Sequence, residues 1–383
     1  MIYYGRQHIE QQDIDAVRDV LLSDWLTQGP DIEAFERKVA DYCGAKYAVA
    51  VTNATSALHI ACKAAGLETG DALWTSPITF VASANCGRYC GAAVDFVDID
   101  DKTYNMDVHE LERKLKDAAV IPKVVIPVHL AGQSCDMERI KALSEVYGFK
   151  IIEDASHAIG ADYKDCKVGS CRYSDMTVFS FHPVKIITTG EGGMVLTNDK
   201  ALYERLQLYR SHGITRDANL MTKEPDGPWY YQQIDLGFNY RMTDLQAALG
   251  YSQMDSLDKF VKRRRYLANR YNEKLQGLPL RVPYCAEYSA PSWHIYVVRI
   301  DFSKVKLSKP EIFAEMKARG IVLNLHYIPV HLQPYYQELG FREGDFPISE
   351  QYYQEAVTLP LYYDLTDEQQ DEIVSALREV LSE

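Results

Sequence analysis

The feature that most restricts how this chain can fold is a series of short, continuously apolar segments recurring from about residue 45 to about residue 200, with helical stretches between them. Strands that are apolar along their whole length, and not on alternate residues only, belong to sheets covered on both faces. The class is therefore α/β. The strand candidates are Lys46–Thr52 (KYAVAVT), Val94–Val97, Val124–Val128, Phe149–Glu153 (FKIIE) and Met176–Phe181 (MTVFSF). Thr55–Ala65 and Met137–Tyr147 read as helices, the second with Asp136 as its N-cap. Between about 213 and 235 the pattern breaks into a polar loop (ANLMTKEPDGPWYYQQ), longer than a connection requires. Beyond it Thr243–Leu275 predicts one long helix that could join two domains, and the segments WHIYVVRI, PEIFAEMKARG and DEQQDEIVSALREVL predict a small α+β unit. At 383 residues the chain exceeds the usual size of one domain, so the expected division is a large domain, 1–248, and a small one, 249–383.

Charge and cysteine usage exclude several functions. A net charge of -13 argues against a nucleic-acid partner, because polyanion binding needs a basic face to release counterions. The one basic run, Lys262–Arg265 (KRRR), falls in a helical stretch and reads as a solvated face. No apolar run approaches the roughly 20 residues that span a bilayer, and the start, MIYYGRQHIEQQDID, lacks the apolar core of a signal peptide. The expectation is a cytoplasmic protein with no membrane partner. Its eight cysteines are scattered, with no CxxC pair and no histidine pattern of a zinc site, which predicts reduced thiols and no metal.

The chemistry concentrates in a few segments. SFHPVKIITTGEGG, Ser180 to Gly193, places Lys185 just beyond a buried strand. An aldehyde cofactor needs an amine that loses its proton near neutral pH, and partial desolvation disfavours the ammonium form. Standing alone, this lysine would more readily be a surface residue in a loop. FKIIEDASHAIG, however, puts Asp154 at the C-terminal end of a strand, the edge at which open α/β sheets bind ligands. A carboxylate there suits the pyridine nitrogen of pyridoxal phosphate (PLP), because only a protonated ring withdraws electrons well. Asp154 equally suits a helix N-cap, and His157 either a contact to the ring hydroxyl or a structural role. VTNATSALHIA offers a strand, a hydroxyl-rich turn and a helix N-terminus, so the amides of Ala54, Thr55 and Ser56 would face a phosphate. Ser180 adds a hydroxyl. Phe80, in SPITFVASAN, either stacks on the planar ring or packs in the core.

Together these motifs resemble the DegT/DnrJ/StrS family of nucleotide-sugar aminotransferases over nearly the whole chain. The resemblance implies the PLP-dependent fold type I of aspartate aminotransferase, with a mixed, mostly parallel sheet in the large domain and a smaller C-terminal α+β domain. It implies that the lysine of S-x-H-x-x-K, here Lys185, holds the cofactor covalently, that Ser180 contacts its phosphate and that Asp154 faces its ring. His157 stands where glutamine is common. GFNYRMTDLQAALG resembles the family segment whose asparagine, here Asn239, reaches the neighbouring subunit's cofactor phosphate, implying a homodimer with shared sites. Because the lysine is present, transamination is favoured over the dehydratase branch.

LTQGPDIEAFE, RSHGITR and HYIPVHLQPYYQELGF are most similar to the branch that makes UDP-4-amino-4,6-dideoxy-N-acetyl-β-L-altrosamine, on the route to pseudaminic acid. By that likeness L-glutamate gives its amino group to the cofactor, leaving pyridoxamine phosphate, which aminates C4 of a UDP-4-keto sugar. Arg216, Arg241, His326, Tyr327 and His331 are the candidates for holding that sugar nucleotide, each with an equal claim to a plain surface role. Alternatives are a 4- or 3-aminotransferase for another UDP or dTDP keto sugar, or a PLP-binding sensor without turnover. An NAD-dependent sugar enzyme is disfavoured, since no GxGxxG follows a strand.

Overall fold

The computed structural model describes residues 1–382. Its centre is a seven-stranded sheet of β1 (Tyr47–Val51), β2 (Ala72–Thr75), β3 (Ala93–Phe96), β4 (Val124–Ile126), β5 (Lys150–Asp154), β6 (Met176–Ser180) and β7 (Gly193–Thr197). The spatial order is β1-β7-β6-β5-β4-β2-β3. Neighbours pair in parallel except at β7, which runs antiparallel to both β1 and β6. β7 is a strand that the apolar-run reading passed over, because its first residues were absorbed into the glycine-rich turn.

The apolar runs are continuous for the expected reason. Along each strand successive side chains enter opposite cores: Ala48 and Ala50 one, Val49 and Val51 the other; Ile151 one, Ile152 the other; Phe179 one, Val178 the other. Each such Val, Ile or Leu contributes roughly 1.5–3 kcal/mol by leaving water. After an N-terminal helix α1 (Gln11–Leu21), one face is covered by α2 (Pro30–Cys43), α5 (Val108–Asp117) and α6 (Met137–Tyr147), the other by α3 (Ala54–Ala64), α4 (Ala82–Tyr89) and α7 (Lys200–Arg210). Among the described residues no helix is long and apolar enough to cross a membrane.

Three sequence expectations need correction. Asp136 does not cap α6 with its side chain. Its carboxylate accepts from the Tyr163 hydroxyl at 2.9 Å, and that hydroxyl takes the amide of Glu138, so a distant phenol does the capping. The long helix over Thr243–Leu275 is two helices, Asp244–Met254 and Leu257–Lys274. At the break Asp255 is drawn to Lys38 (2.7 Å) and the Ser256 hydroxyl to Glu10 (2.9 Å), tertiary partners with no trace in helical periodicity.

The basic run is not a solvated face throughout. Arg264 is buried, donating through Nη1 to the carbonyls of Trp293, His294 and Leu361, while Arg265 bonds Asp162 at 3.0 Å. Helix Leu257–Lys274 begins in the sheet's core with Leu257, Phe260 and Val261, and ends in a separate core with Leu267, Ala268 and Tyr271. That second core lies under a three-stranded antiparallel sheet with Tyr296–Ile300 at its centre, and it includes Ile2 from the N-terminus.

Candidate active site

β5 and β6 run in parallel, so both end at the same sheet edge. There the first turns of α3 and α4 meet them around a cavity of ≈ 600 Å³. Ala54, Thr55, Phe80, Asp154, His157, Ser180, Lys185, His326 and Tyr327, named from the sequence, all line it. So do Tyr4, His182, Glu191, His294 and Asn324, which the sequence reading did not single out. Tyr4 and Asn324 carry no local signal, because they arrive from the N-terminal segment and from a segment bridged to Thr358 far along the chain.

Lys185 follows β6 in a turn, its amide bonded to the carbonyl of His182 at 2.9 Å. Burial pushes its ammonium down to about 8, and the negative charge of Asp154 opposes but does not cancel that shift. Asp154 is held from two sides: the Ser83 hydroxyl of α4 donates to Oδ2 at 2.5 Å and the Ser156 amide to Oδ1 at 3.1 Å. Ser83 is a positioning partner visible in the sequence only as one small residue in a helix.

His157 is neutral, because burial holds it well below the usual imidazole range, with Lys185 and His326 adding to the effect. Its tautomer follows from its bonds. The Ala131 amide donates to Nδ1 at 3.3 Å, so the proton sits on Nε2 and is given to the Tyr327 oxygen at 3.1 Å. Tyr327, whose phenol burial raises above its ordinary value, stays protonated and has its own hydrogen free for the cavity. His326 is pushed down to about 3 by burial and the Lys185 charge, and pairs with the Thr358 hydroxyl at 2.9 Å.

The anion cradle differs from expectation at one residue. Asn53 caps α3 by accepting the Ser56 amide at 2.9 Å, and the Ser56 hydroxyl donates back to the Asn53 carbonyl. Ser56 is thus spent on the cap and does not line the cavity, which leaves the amides of Ala54 and Thr55 as the helix's free donors. Gly193 permits this arrangement: a Cβ there would lie 2.5 Å from the Asn53 carbonyl carbon. Phe80 is 57% exposed at the cavity and not in the core, which removes the packing alternative.

The remaining residues lie apart. His331 is fully buried, bonded to Glu350 at 2.9 Å and packed on Phe346 in the core beneath the large sheet, so it does not line the cavity and holds a structural place instead. Arg216, Arg241 and Asn239 do not line the cavity of their own chain. Arg241 bridges Val51 and Asn239 bridges Ser211 through the backbone, and Asn239 and Arg216 are exposed.

The donor set suits PLP: a depressed lysine, a fixed carboxylate across the cavity, a helix N-terminus beside Ser180 and an aromatic ring at the rim. Among the described residues no cluster of His, Cys, Asp and Glu suits a metal ion.

A model of the DegT/DnrJ/EryC1/StrS aminotransferase family matches residues 7–378. The spore coat polysaccharide biosynthesis protein SpsC of Bacillus subtilis is 39% identical, over 99% of this chain and 96% of its own length. A UDP-4-amino-4,6-dideoxy-N-acetyl-β-L-altrosamine transaminase of Campylobacter jejuni is 35% identical, over 95% and 93%. Among solved structures, Helicobacter pylori PseC, an aminotransferase involved in the biosynthesis of pseudoaminic acid, superposes with a TM-score of 0.91 at 29% identity, covering 100% of this chain and 99% of its own.

Proposed function

The chain belongs to the DegT/DnrJ/EryC1/StrS aminotransferase family, and from that premise we propose that it moves the amino group of L-glutamate to C4 of a UDP-4-keto-6-deoxy-N-acetylhexosamine, giving UDP-4-amino-4,6-dideoxy-N-acetyl-β-L-altrosamine. It is a sugar aminotransferase of PLP-dependent fold type I, with PLP as its cofactor. The likeness to the Campylobacter and Helicobacter proteins supports this choice of sugar. The observation that carries the reading is the convergence of Lys185 and Asp154 on one cavity whose floor is a helix N-terminus.

Bound PLP supplies an electron-withdrawing ring that stabilises negative charge on the carbon beside the transferred nitrogen. The chain's own residues do the rest. With its pKa near 8, Lys185 is a free amine in roughly a tenth of molecules at pH 7, against a few in ten thousand for an exposed lysine. That amine would hold the cofactor through its aldehyde carbon and, once released, would carry protons to and from the reacting carbons. Asp154, fixed by Ser83 and Ser156, would keep the ring nitrogen protonated. Ala54, Thr55 and Ser180 would bind the phosphate, and Phe80 at the cavity would cover the ring. Tyr327, its oxygen filled by His157, gives its hydrogen to an oxygen of the ring or the sugar. Asn239, exposed in one chain, completes the partner's phosphate site in a homodimer.

Replacing Lys185 by Ala or Arg removes the visible cofactor band and turnover together; full activity after that change would end the proposal. The sugar is tested by assaying epimeric UDP-4-keto sugars side by side with glutamate, with NMR to fix the configuration at C4. The higher identity to SpsC favours a second reading, an acceptor from another nucleotide keto-sugar series, and faster turnover of a UDP-gluco or dTDP substrate would establish it.

A further inference from the structure

Behind the cavity lies a buried polar network that the amino transfer leaves unused. Asp154 ends β5 and lines the cavity, whereas its neighbour Glu153 does not. The Glu153 Oε1 accepts from the Ser174 hydroxyl and, at 2.9 Å, from the Thr177 hydroxyl, while Oε2 lies 2.7 Å from Nε2 of the buried His129. The other ring nitrogen of His129 accepts the Cys135 amide at 3.1 Å. The carboxylate favours a charged ring, but that amide leaves Nδ1 no room for a second proton, so Nε2 carries the one proton and donates it to Glu153. One imidazole thus ties both ends of a turn, residues 129 and 135, to β5.

The same turn meets the histidines of the cavity. His129 gives its amide to the Asp154 carbonyl at 3.0 Å. Ala131, at a left-handed φ of 59°, gives its amide to Nδ1 of His157 at 3.3 Å, and its carbonyl accepts from the His294 amide at 3.0 Å. A residue with a Cβ keeps such a backbone only where its surroundings fix it. Asn105 supplies a second anchor, accepting the Leu130 amide at 3.0 Å and donating to the Gln133 carbonyl at 2.9 Å.

We propose that His129 is a positioning residue: anchored on Glu153, it holds the Ala131 amide against His157, fixes the Nε2–H tautomer of that ring and so turns the Tyr327 hydroxyl hydrogen towards the sugar. The direction of one hydrogen bond is at stake. With Nδ1 of His157 filled by the amide, Nε2 donates to the Tyr327 oxygen and the phenol hydrogen is left for a ligand. Were the turn free, the His157 proton could move to Nδ1. Nε2 would then accept from Tyr327, and the phenol hydrogen would be spent inside the protein. This role rests on the aminotransferase reading only in its last step, because the tautomer is a property of the protein without sugar.

Long-range proton–nitrogen NMR of the cofactor-loaded protein, isotope-labelled at histidine, reads the tautomer of each ring, and the signal missing from His157→Gln assigns His157. In the wild type its proton should stand on Nε2; a proton on Nδ1 there overturns the proposal without any variant at position 129. In His129→Leu both tautomers should appear, and KM for the sugar should rise about two- to tenfold, the worth of one neutral hydrogen bond, with KM for glutamate unchanged. His129→Gln, whose amide nitrogen takes the place of Nε2, should restore the single tautomer. Adding His129→Leu to Tyr327→Phe should raise the sugar KM no further, because both changes remove the same bond. A single Nε2–H tautomer kept in His129→Leu, or effects on KM that multiply, would show a residue that serves stability alone. A tautomer lost with the sugar KM unmoved also overturns the proposal. Amino transfer persists in that case, whereas failure of the aminotransferase reading would appear as wild type inactive with every keto sugar.

Discussion

Lys185 shows how a single residue can serve function against stability. Its pKa in the folded chain is about 8, below the 10.5 of an unperturbed lysine. Below pH 8 both states are protonated and the folded chain bears the cost of a desolvated charge. From 8 to 10.5 the unfolded chain holds the extra proton, so stability rises with pH. Cofactor-free Lys185→Met should therefore be more stable than its parent by about 1–3 kcal/mol at pH 7, the gap closing towards pH 10.5, while turnover is lost. Denaturant titration of the apo proteins at several pH values measures this, and a destabilised variant at pH 7 contradicts it. Ser83→Ala strips Asp154 of a charge-assisted bond and should weaken PLP binding about tenfold with the fold intact, as fluorescence titration would read. For His331→Ala the loss should be in stability, about 2–4 kcal/mol, with KM for the sugar unchanged, whereas Tyr327→Phe should raise that KM more than the KM for glutamate. Both histidines of HYIPVHLQP look alike as letters. Only the packing of His331 on Phe346 and Glu350 separates it from His326 at the cavity.

At the level of elements, the site depends on how helix ends are finished. The Asn53–Ser56 capping box sets where α3 begins, and hence which amides face the cavity. Asn53→Ala should cost about 1 kcal/mol in thermal unfolding and weaken phosphate binding as well. Gly193→Ala forces a methyl against the Asn53 carbonyl and should cost about 1–3 kcal/mol, with weakened PLP binding as the specific signature, since the clash displaces the cradle itself. Strand interiors and helix existence were legible because they are written in local periodicity. Element ends were less so. The Asp136 cap, the break at Asp255–Ser256 and the strand β7 each depend on partners far along the chain: Tyr163, Lys38 with Glu10, and the pairing to β1 and β6.

The whole molecule carries the last prediction. If Asn239 completes the partner's site, mixing inactive Lys185→Ala and Asn239→Ala chains under subunit exchange should restore about a quarter of wild-type activity, since half the dimers are mixed and each holds one intact site. No recovery on mixing would mean that each chain works alone. Local patterning sufficed for the α/β class, for the strand-end position of Asp154 and for Lys185 beyond β6, because a buried strand and the residue at its end are contiguous in sequence. Tertiary structure alone decided which residues share the cavity. Tyr4 and Asn324 come to it from two distant segments, Ser83 reaches its Asp154 from a third, and Arg264 turns from a surface letter into a buried clamp on the carbonyls of Trp293 and His294. The physical reason is that a side chain's environment is set by what packs across from it, and that neighbour can stand hundreds of positions away in the chain.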